Sequence, residues 1–430
     1  MTLSPTTRQG GDWRQRLTQI VDLVRDMSLQ TEPQEMVRSY ADKVRLLLPS
    51  DARLSLSRRG LAAPRYRITR STTWADDINP WTEPDRLPLL EGGLLAELIY
   101  ADQPRVIGDL DVAPGDPAAG YLAGHRSLMA VPTFDGGAAL NMVVLLRRGP
   151  AAFPDEELPE VVWLSNLFGR ATGSLLLAEQ LRRANLALDR EMRAVGDIQR
   201  SLLPARLPEV PTLDLAAHYR PSHRAGGDYY DFFPLDGGRW GVIIADVSGH
   251  GTPAAVLMAV THCIAHTNPG RARPPGEVLG YLNYHLADLY TGRTGTFVTA
   301  FYGVYDPADR TLTYARAGHN PPRVKRCRDG SLLALDGAGG FPLGITTEGA
   351  YGECVQPLQP GDQIIFYTDG ITEAGNPAGE LFGTGRLDHA LENCSLQASA
   401  LLASVLRSVE EFADGHPADD DRTLIVARVS

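Results

Sequence analysis

Acidic residues in this 430-residue chain stand where a folded core tolerates them least, at the ends of strongly apolar, strand-like runs. "GVIIAD" ends on Asp246 and "DQIIFYTD" ends on Asp369. Asp228 follows the glycine pair of "AGGDYYDFF", and Asp419, Asp420 and Asp421 lead directly into the last apolar stretch, "RTLIVARV". A carboxylate removed from water without compensation is costly, so separate strands that each deliver one to a terminus predict a shared charge sink. Hard oxygen donors with no Cys or His among them favour Mg2+ or Mn2+ over zinc or copper. Two such ions about 4 Å apart would bind a phosphoryl group and activate a water between them, with no serine, cysteine or histidine nucleophile. Each motif alone has a plainer reading. Asp-Gly is a common turn pair, a triple Asp is commonly a solvated loop, and "GGDYYDF" can be a tight turn packing two tyrosines. It is the set, in this order and on these strand ends, that argues for a site.

Length predicts two or three domains. A net charge of −11 disfavours a nucleic-acid binder and supplies no polybasic patch for a membrane. No apolar run approaches the roughly 18–20 residues that span a bilayer, and the opening "MTLSPTTRQGGDW" lacks a hydrophobic signal core. The expectation is a cytoplasmic protein. Cys263, Cys327, Cys354 and Cys394 are scattered without a CxxC pair, which predicts neither a zinc site nor a disulfide framework.

Along the chain, residues 12–48 carry a helical apolar period. "SLMAVPTF", Asp135-Gly136-Gly137 and "ALNMVVLLRR" predict a hairpin, with Pro132 marking an edge strand or a bulge. "FPDEEL" starts a helix that can run past Gly173, and Leu181, Leu188, Val195 and Leu202 fall seven apart along it. That stripe suits a short parallel coiled coil, or one amphipathic helix packed on its own domain. From about residue 211 the texture turns to Val/Ile/Phe/Tyr-rich strands, with helices at roughly 252–267, 275–290 and 397–413.

"GGDYYDFF", "ADVSGHGTPAAVLMA", "TFVTAFYGVYD", "ARAGHNPP", "FPLG", "YTDGITEA" and "DDRTLIVARV" together resemble the SpoIIE/RsbU-type branch of the metal-dependent PPM (type 2C-like) serine/threonine phosphatases, over about residues 190–430. The resemblance implies an α-β-β-α sandwich with the metal centre at one end of two packed sheets. It implies that Asp246 bridges two ions, with the Val247 carbonyl as a further ligand. Asp228 resembles a ligand of the second ion; Asp369 and Asp420 resemble ligands of the first. The register within Asp419–Asp421 is ambiguous, and the Asp-Asp-x-Thr match, which puts Thr423 three residues on, favours Asp420. Asp231 reads as structural. Eukaryotic relatives place a histidine two residues after the bridging aspartate; here that place is Ser248, and His250 either orders the loop or acts in catalysis. Arg224 stands where those relatives carry a phosphate-binding arginine, against the plain alternative of a solvated loop residue. Thr252-Pro253 predicts a helix N-cap and first turn, and His319 reads as a turn residue.

Residues 15–176 resemble a GAF sensor domain in layout and in "SLMAVPTF…MVVLLRRG…FPDEEL", with PAS the alternative and Trp74 and Trp81 as pocket or core residues. The expected organisation is α+β and multidomain: a flexible N-terminus (1–14), a GAF-like α/β sensor (15–176), a helical linker with a coiled-coil stripe (177–204) and a PPM sandwich (205–430). By resemblance, the function is hydrolysis of phosphoserine or phosphothreonine on a regulatory protein, an anti-sigma-factor antagonist of STAS type, under control of the sensor and as a homodimer. The rivals are a catalytically silent scaffold of the same fold and a small-molecule phosphohydrolase.

Overall fold

The computed structural model describes residues 12–76, 78–268, 274–292, 295–337, 339–394 and 397–430. The expected flexible N-terminus at 1–14 lies almost wholly outside them. The chain divides into two units, Met1–Asn185 and Leu186–Ser430.

In the first unit the helical run breaks in two, α1 (Asp12–Leu29) and α2 (Pro33–Leu47). Pro33 explains the break, because proline restricts the residue before it away from helical backbone, and Glu32 is extended. There follow β1 (Ala52–Ser57), β2 (Arg65–Ser71), β3 (Leu89–Glu91), α3 (Gly93–Tyr100), β4 (Arg105–Ile107), α4 (Ala119–Leu122), β5 (Ser127–Asp135), β6 (Ala138–Arg147) and α5 (Leu158–Ser201). The six strands form one antiparallel sheet, ordered β3-β2-β1-β6-β5-β4. Two cores cover its faces. One gathers Leu54, Leu56, Ile68 and Leu146 with α3; the other gathers Tyr40, Met129, Val131 and Leu164 with α1, α2 and α5. Pro132 lies beyond the short stretch of β5 that β4 pairs, and a bulge follows at Thr133/Phe134, so the missing N–H costs no ladder bond on that side. Trp74 packs on the first core, whereas Trp81 is partly exposed under the Arg70 guanidinium.

Helix α5 is 44 residues long, and the division between the units falls within it. Its apolar stretch meets the length and hydropathy threshold for a membrane span, contrary to the sequence expectation. Its Val161 and Leu164 are nonetheless buried in the core of the first unit. Leu181 and Leu188 stand exposed on the single chain.

The second unit contains β7 (Leu213–Arg220), β8 (Tyr229–Pro234), β9 (Trp240–Val247), α6 (Thr252–Thr267), α7 (Pro275–Leu286), β10 (Val298–Asp306), β11 (Thr311–Ala317), β12 (Arg323–Lys325), β13 (Leu332–Ala334), β14 (Cys354–Pro357), β15 (Gln363–Tyr367), α8 (Asp369–Thr372), α9 (Gly383–Ala390), α10 (Ala398–Ala413) and β16 (Arg422–Val429). Two five-stranded sheets, β14-β11-β10-β9-β8 and β13-β12-β15-β16-β7, pack face to face around Ile244, Phe301, Phe366 and Ile425. Helices α6 and α7 cover one outer face. Leu401, Val405 and Val409 of α10 cover the other, against Ile365, Leu424 and Val426. The near-continuous apolar character of β9, β15 and β16 follows, since each is buried on both faces.

One cysteine expectation fails. Cys327, in the turn after β12, and Cys394, before α10, form a disulfide across 67 residues of sequence with Cα atoms 5.5 Å apart. Sequence spacing carries no sign of this, because the pairing depends on where two loops meet in space. Cys263 and Cys354 are free.

Candidate metal centre

Asp246 is delivered by β9, whose five preceding residues are buried. It lies opposite Thr299 of β10 at the end of the sheet. Beyond it the backbone turns out through Gly249 and Gly251, both at positive φ. Ser248 closes this corner, its N–H donating to the Phe297 carbonyl and its hydroxyl accepting from the Phe297 N–H, both at 2.9 Å. The side chain standing in the histidine's place therefore holds the loop. Gly251, not Thr252, is the N-cap of α6. Its φ of 75° is a conformation that threonine enters only at a cost, so the cap shifts one residue back from the expected position.

Asp228 is the most buried of the set, 1% exposed. Its Oδ2 accepts the hydroxyls of Thr368 at 2.8 Å and Thr423 at 2.6 Å. Both threonines come from the facing sheet: Thr368 follows β15, and Thr423 lies in β16. The two glycines before Asp228 are required by close approach. A Cβ on Gly227 would meet the Val247 carbonyl oxygen at 3.0 Å, and one on Gly226 would lie 2.0 Å from Asp421 Oδ2. Gly370 is equally constrained, since its Cβ would sit 2.1 Å from the Asp421 carbonyl oxygen. The "GGD" and "TDG" signatures thus mark places where three chain segments converge, rather than simple turns.

The three consecutive aspartates separate in role. Asp421 is buried and spent on backbone: Oδ1 accepts the Ser222 N–H at 2.8 Å, and Oδ2 accepts the Gly227 N–H at 2.6 Å. Asp419 is exposed. Asp420 is half-buried, and its Oδ1 accepts the Asp421 N–H at 2.8 Å.

Electrostatics report the convergence. Burial pushes the Asp246 carboxyl up to about 8, and each neighbouring charge that adds to the shift is another acid: Asp369, Asp420, Asp421 and Glu373. Burial raises Asp228 well above the usual carboxylate range, with Asp246 and Asp421 adding to it and the two threonine hydroxyls opposing. Asp369, at the start of the one-turn α8, is pushed up to about 6 by burial and by Asp420 and Glu373. Burial also raises Asp420, opposed by the Asp421 N–H and, more weakly, by His250 and His223. Glu373 carries a sequence signal, the Glu of "YTDGITEA", and the single turn of α8 brings it beside Asp369. Four carboxylates pressed together in this way, with oxygen donors alone, fit hard divalent cations.

The remaining expected residues fall as follows. The Arg224 guanidinium donates to Asp189 Oδ1 of α5 at 2.8 Å. The same end of α5 supports the Asp228 loop. Gln199 Oε1 accepts the Gly226 N–H, Gln199 Nε2 donates to the Tyr219 hydroxyl at 2.8 Å, and Gly196 leaves room for the Arg224 carbonyl. His250 stacks on His223 with ring centroids 4.8 Å apart. His319 is no exposed turn residue. It is buried against the Thr299 hydroxyl at 2.8 Å, and burial lowers its pKa to about 3, so it stays neutral. Asp231 accepts from the Tyr229 hydroxyl at 3.0 Å and pairs with His266 at 2.7 Å.

Comparison with known proteins converges on the second unit. The family described as Stage II sporulation protein E (SpoIIE) matches residues 236–430. The chain is 30% identical over 250 residues to phosphoserine phosphatase RsbU of Bacillus subtilis, covering 58% of this chain and 73% of that protein. It is 24% identical over 242 residues to phosphoserine phosphatase RsbP of Bacillus subtilis, spanning 56% of this chain and 58% of that one. Among solved structures, the SiaA-PP2C domain of Pseudomonas aeruginosa is similar in fold, with a TM-score of 0.51 at 22% identity over 58% of this chain and 98% of that domain.

Proposed function

The chain belongs to the SpoIIE/RsbU-type family of protein serine/threonine phosphatases, and from that premise we propose that it removes phosphate from a phosphoserine or phosphothreonine on a regulatory protein, with Asp228, Asp246, Asp369, Asp420 and the Val247 carbonyl holding two Mn2+ or Mg2+ ions. The observation that carries this reading is the cluster of buried and half-buried carboxylates whose electrostatic neighbours are mostly one another. Bound there, the ions would supply Lewis acidity to the phosphoryl oxygens and lower the pKa of water. The chain's own part is positioning. Thr368 and Thr423 fix the Asp228 carboxylate, and Asp421 pins the Ser222–Gly227 backbone, whose Gly227, next to Asp228, lies close against Val247. Asp246 and Asp369 receive their placement from strands buried on both faces, which resist displacement. Arg224 is paired with α5, so capture of a phosphate oxygen would require it to exchange Asp189 for substrate.

The partner is a phosphorylated antagonist of an anti-sigma factor, of STAS type, and the working compartment is the cytoplasm. The first unit is a GAF-like sensor; its six-stranded antiparallel sheet, late hairpin and closing helix support this. Its signal would reach the metal centre through α5, whose last turns support the Asp228 loop, and the exposed Leu181 and Leu188 would pair two chains.

The substrate class is tested by incubating the full chain with Mn2+ or Mg2+ and a phosphoseryl STAS-domain protein, with nucleoside triphosphates in parallel. Release from the phosphoprotein at a far higher kcat/KM supports the proposal; preference for the nucleotide overturns it. For the linker, Leu188→Asp should convert dimer to monomer and change the rate. No change in either would remove the coupling.

A further inference from the structure

We propose that Asp231, His262 and His266 form a second metal site, separate from the carboxylate centre and suited to a borderline-soft divalent ion of the zinc class. The three donor atoms lie within 4.8 Å of one another. His262 and His266 are one turn apart on α6, so both imidazoles project from the same face of the helix, toward β8, which carries Asp231.

The cluster has the features of a prepared site. Asp231 is buried, and its carboxylate is oriented by the Tyr229 hydroxyl on Oδ2 at 3.0 Å and by the Phe232 N–H on Oδ1 at 2.7 Å. His266 Nε2 already faces Oδ2 at 2.7 Å, with its ring half-exposed, so an ion can enter from solvent. The second imidazole carries the independent observation. His262 Nδ1 is buried, and among the described residues it has no hydrogen-bond partner. The rings of His262 and His266 lie 4.2 Å apart, and those of Tyr229 and Phe233 pack edge-on against them. An imidazole with an orphaned ring nitrogen, grouped with a fixed carboxylate and a second imidazole, is a donor set without its acceptor.

Two imidazoles and one carboxylate select a different ion from the oxygen-only centre. Imidazole suits Zn2+, Co2+, Ni2+ or Cu2+, whereas Mg2+ prefers oxygen. Donors around one four-coordinate ion at about 2.0–2.2 Å stand roughly 3.3–3.6 Å apart, so the His266–Asp231 edge, 2.7 Å here, must open and any longer edge must close, which the half-exposed His266 ring can accommodate. A fourth position stays open to water. The bound ion would tie α6 to β8, the two elements that follow Asp246 and Asp228 in the chain.

Cobalt reports the site directly, because four-coordinate Co2+ absorbs far more strongly in the visible than six-coordinate Co2+. The full chain is stripped with chelator, supplied with millimolar Mg2+ to occupy the oxygen centre, and titrated with Co2+. The expected result is one equivalent with an intense four-coordinate band. Asp246→Asn should keep the band, while His266→Ala and His262→Gln should abolish it or weaken binding more than about 10-fold, since even outer-shell losses cost about that much. Zn2+ should raise the Tm of the wild type and not of either histidine variant. Circular dichroism of each variant confirms that it is folded. A weak six-coordinate spectrum only, an intense band kept by both histidine variants, or one lost only in Asp246→Asn would overturn the site and leave a hydrogen-bonded Tyr-Asp-His network. None of these outcomes bears on whether the carboxylate centre hydrolyses phosphate.

Discussion

Among the described residues of the first unit the buried polar side chains are Ser127, Thr133, Ser165 and Thr172, all uncharged. In residues 186–430 they include Asp228, Asp231, Asp421, Lys325 and Arg422. Both units are sheets flanked by helices and closed by large apolar cores, so the difference does not come from architecture. It comes from what each fold does with its strand ends. The first unit's strands β3 and β5 end in the exposed Glu91 and Asp135, whereas β9, β15 and β16 abut carboxylates that the core half encloses. A fold that keeps repelling acids at one place sacrifices stability there unless something offsets their charge, and on the proposed function a cation does so.

Chelation is the broadest way to break this comparison. Removing divalent ions should lower turnover by more than about 1000-fold, in line with the share of catalysis carried by metal and oriented charge. The unfolding transition of the first unit should stay unmoved. Turnover that survives chelator, or a first unit that melts early in it, would blur the contrast.

Next in size is Thr423→Val, which removes a hydroxyl from Asp228 with little change in shape. Loss of such a second contact typically costs about 10–100-fold in metal affinity or activity. Mn2+ titration of turnover measures it, and an unchanged half-saturation point would show that Asp228 needs no holding.

The acids also set the sign of a pH effect. With its carboxyl raised to about 8 from 3.8, Asp246 keeps a proton in the folded, metal-free chain that the unfolded chain has already released. Folded-state proton uptake then exceeds that of the unfolded state between about pH 4 and 8, so stability falls as pH rises across that window. In chelator the Tm of the second unit should drop over that range, and saturating Mn2+ should flatten the slope. A metal-free Tm that climbs with pH would contradict the burial of unpaired acids.

The smallest expected effect on catalysis comes from the first unit's core. Ile68→Ala should destabilise that unit by roughly 2–5 kcal/mol through the cavity it leaves. The Mn2+ dependence of the second unit's turnover should not change.

The strands carrying Asp246 and Asp369 were legible because burial on both faces writes itself as an unbroken apolar run. Long helices were legible from their period, although the turn at Pro33 divided one of them. What stayed hidden shares one cause. The separate uses of Asp420 and Asp421, the Cys327–Cys394 pair and the meeting of Asp231 with His262 and His266 all depend on which loops the fold brings together. Short β12–β14 and α9 lack the length for a period to show. Arg224 reads in sequence as a phosphate ligand or a solvated residue, and in the fold it is tied to Asp189, a partner 35 residues away.

The central claim is that carboxylates from distant strands act together as one cation-binding centre. It is tested most directly by titrating Mn2+ into the full-length wild type and Asp246→Asn by calorimetry while following phosphate release from a phosphoseryl substrate. The account predicts that the single substitution removes the tight Mn2+ binding and the turnover together, with circular dichroism unchanged. A folded Asp246→Asn variant that still binds Mn2+ tightly and releases phosphate at the wild-type rate would contradict it.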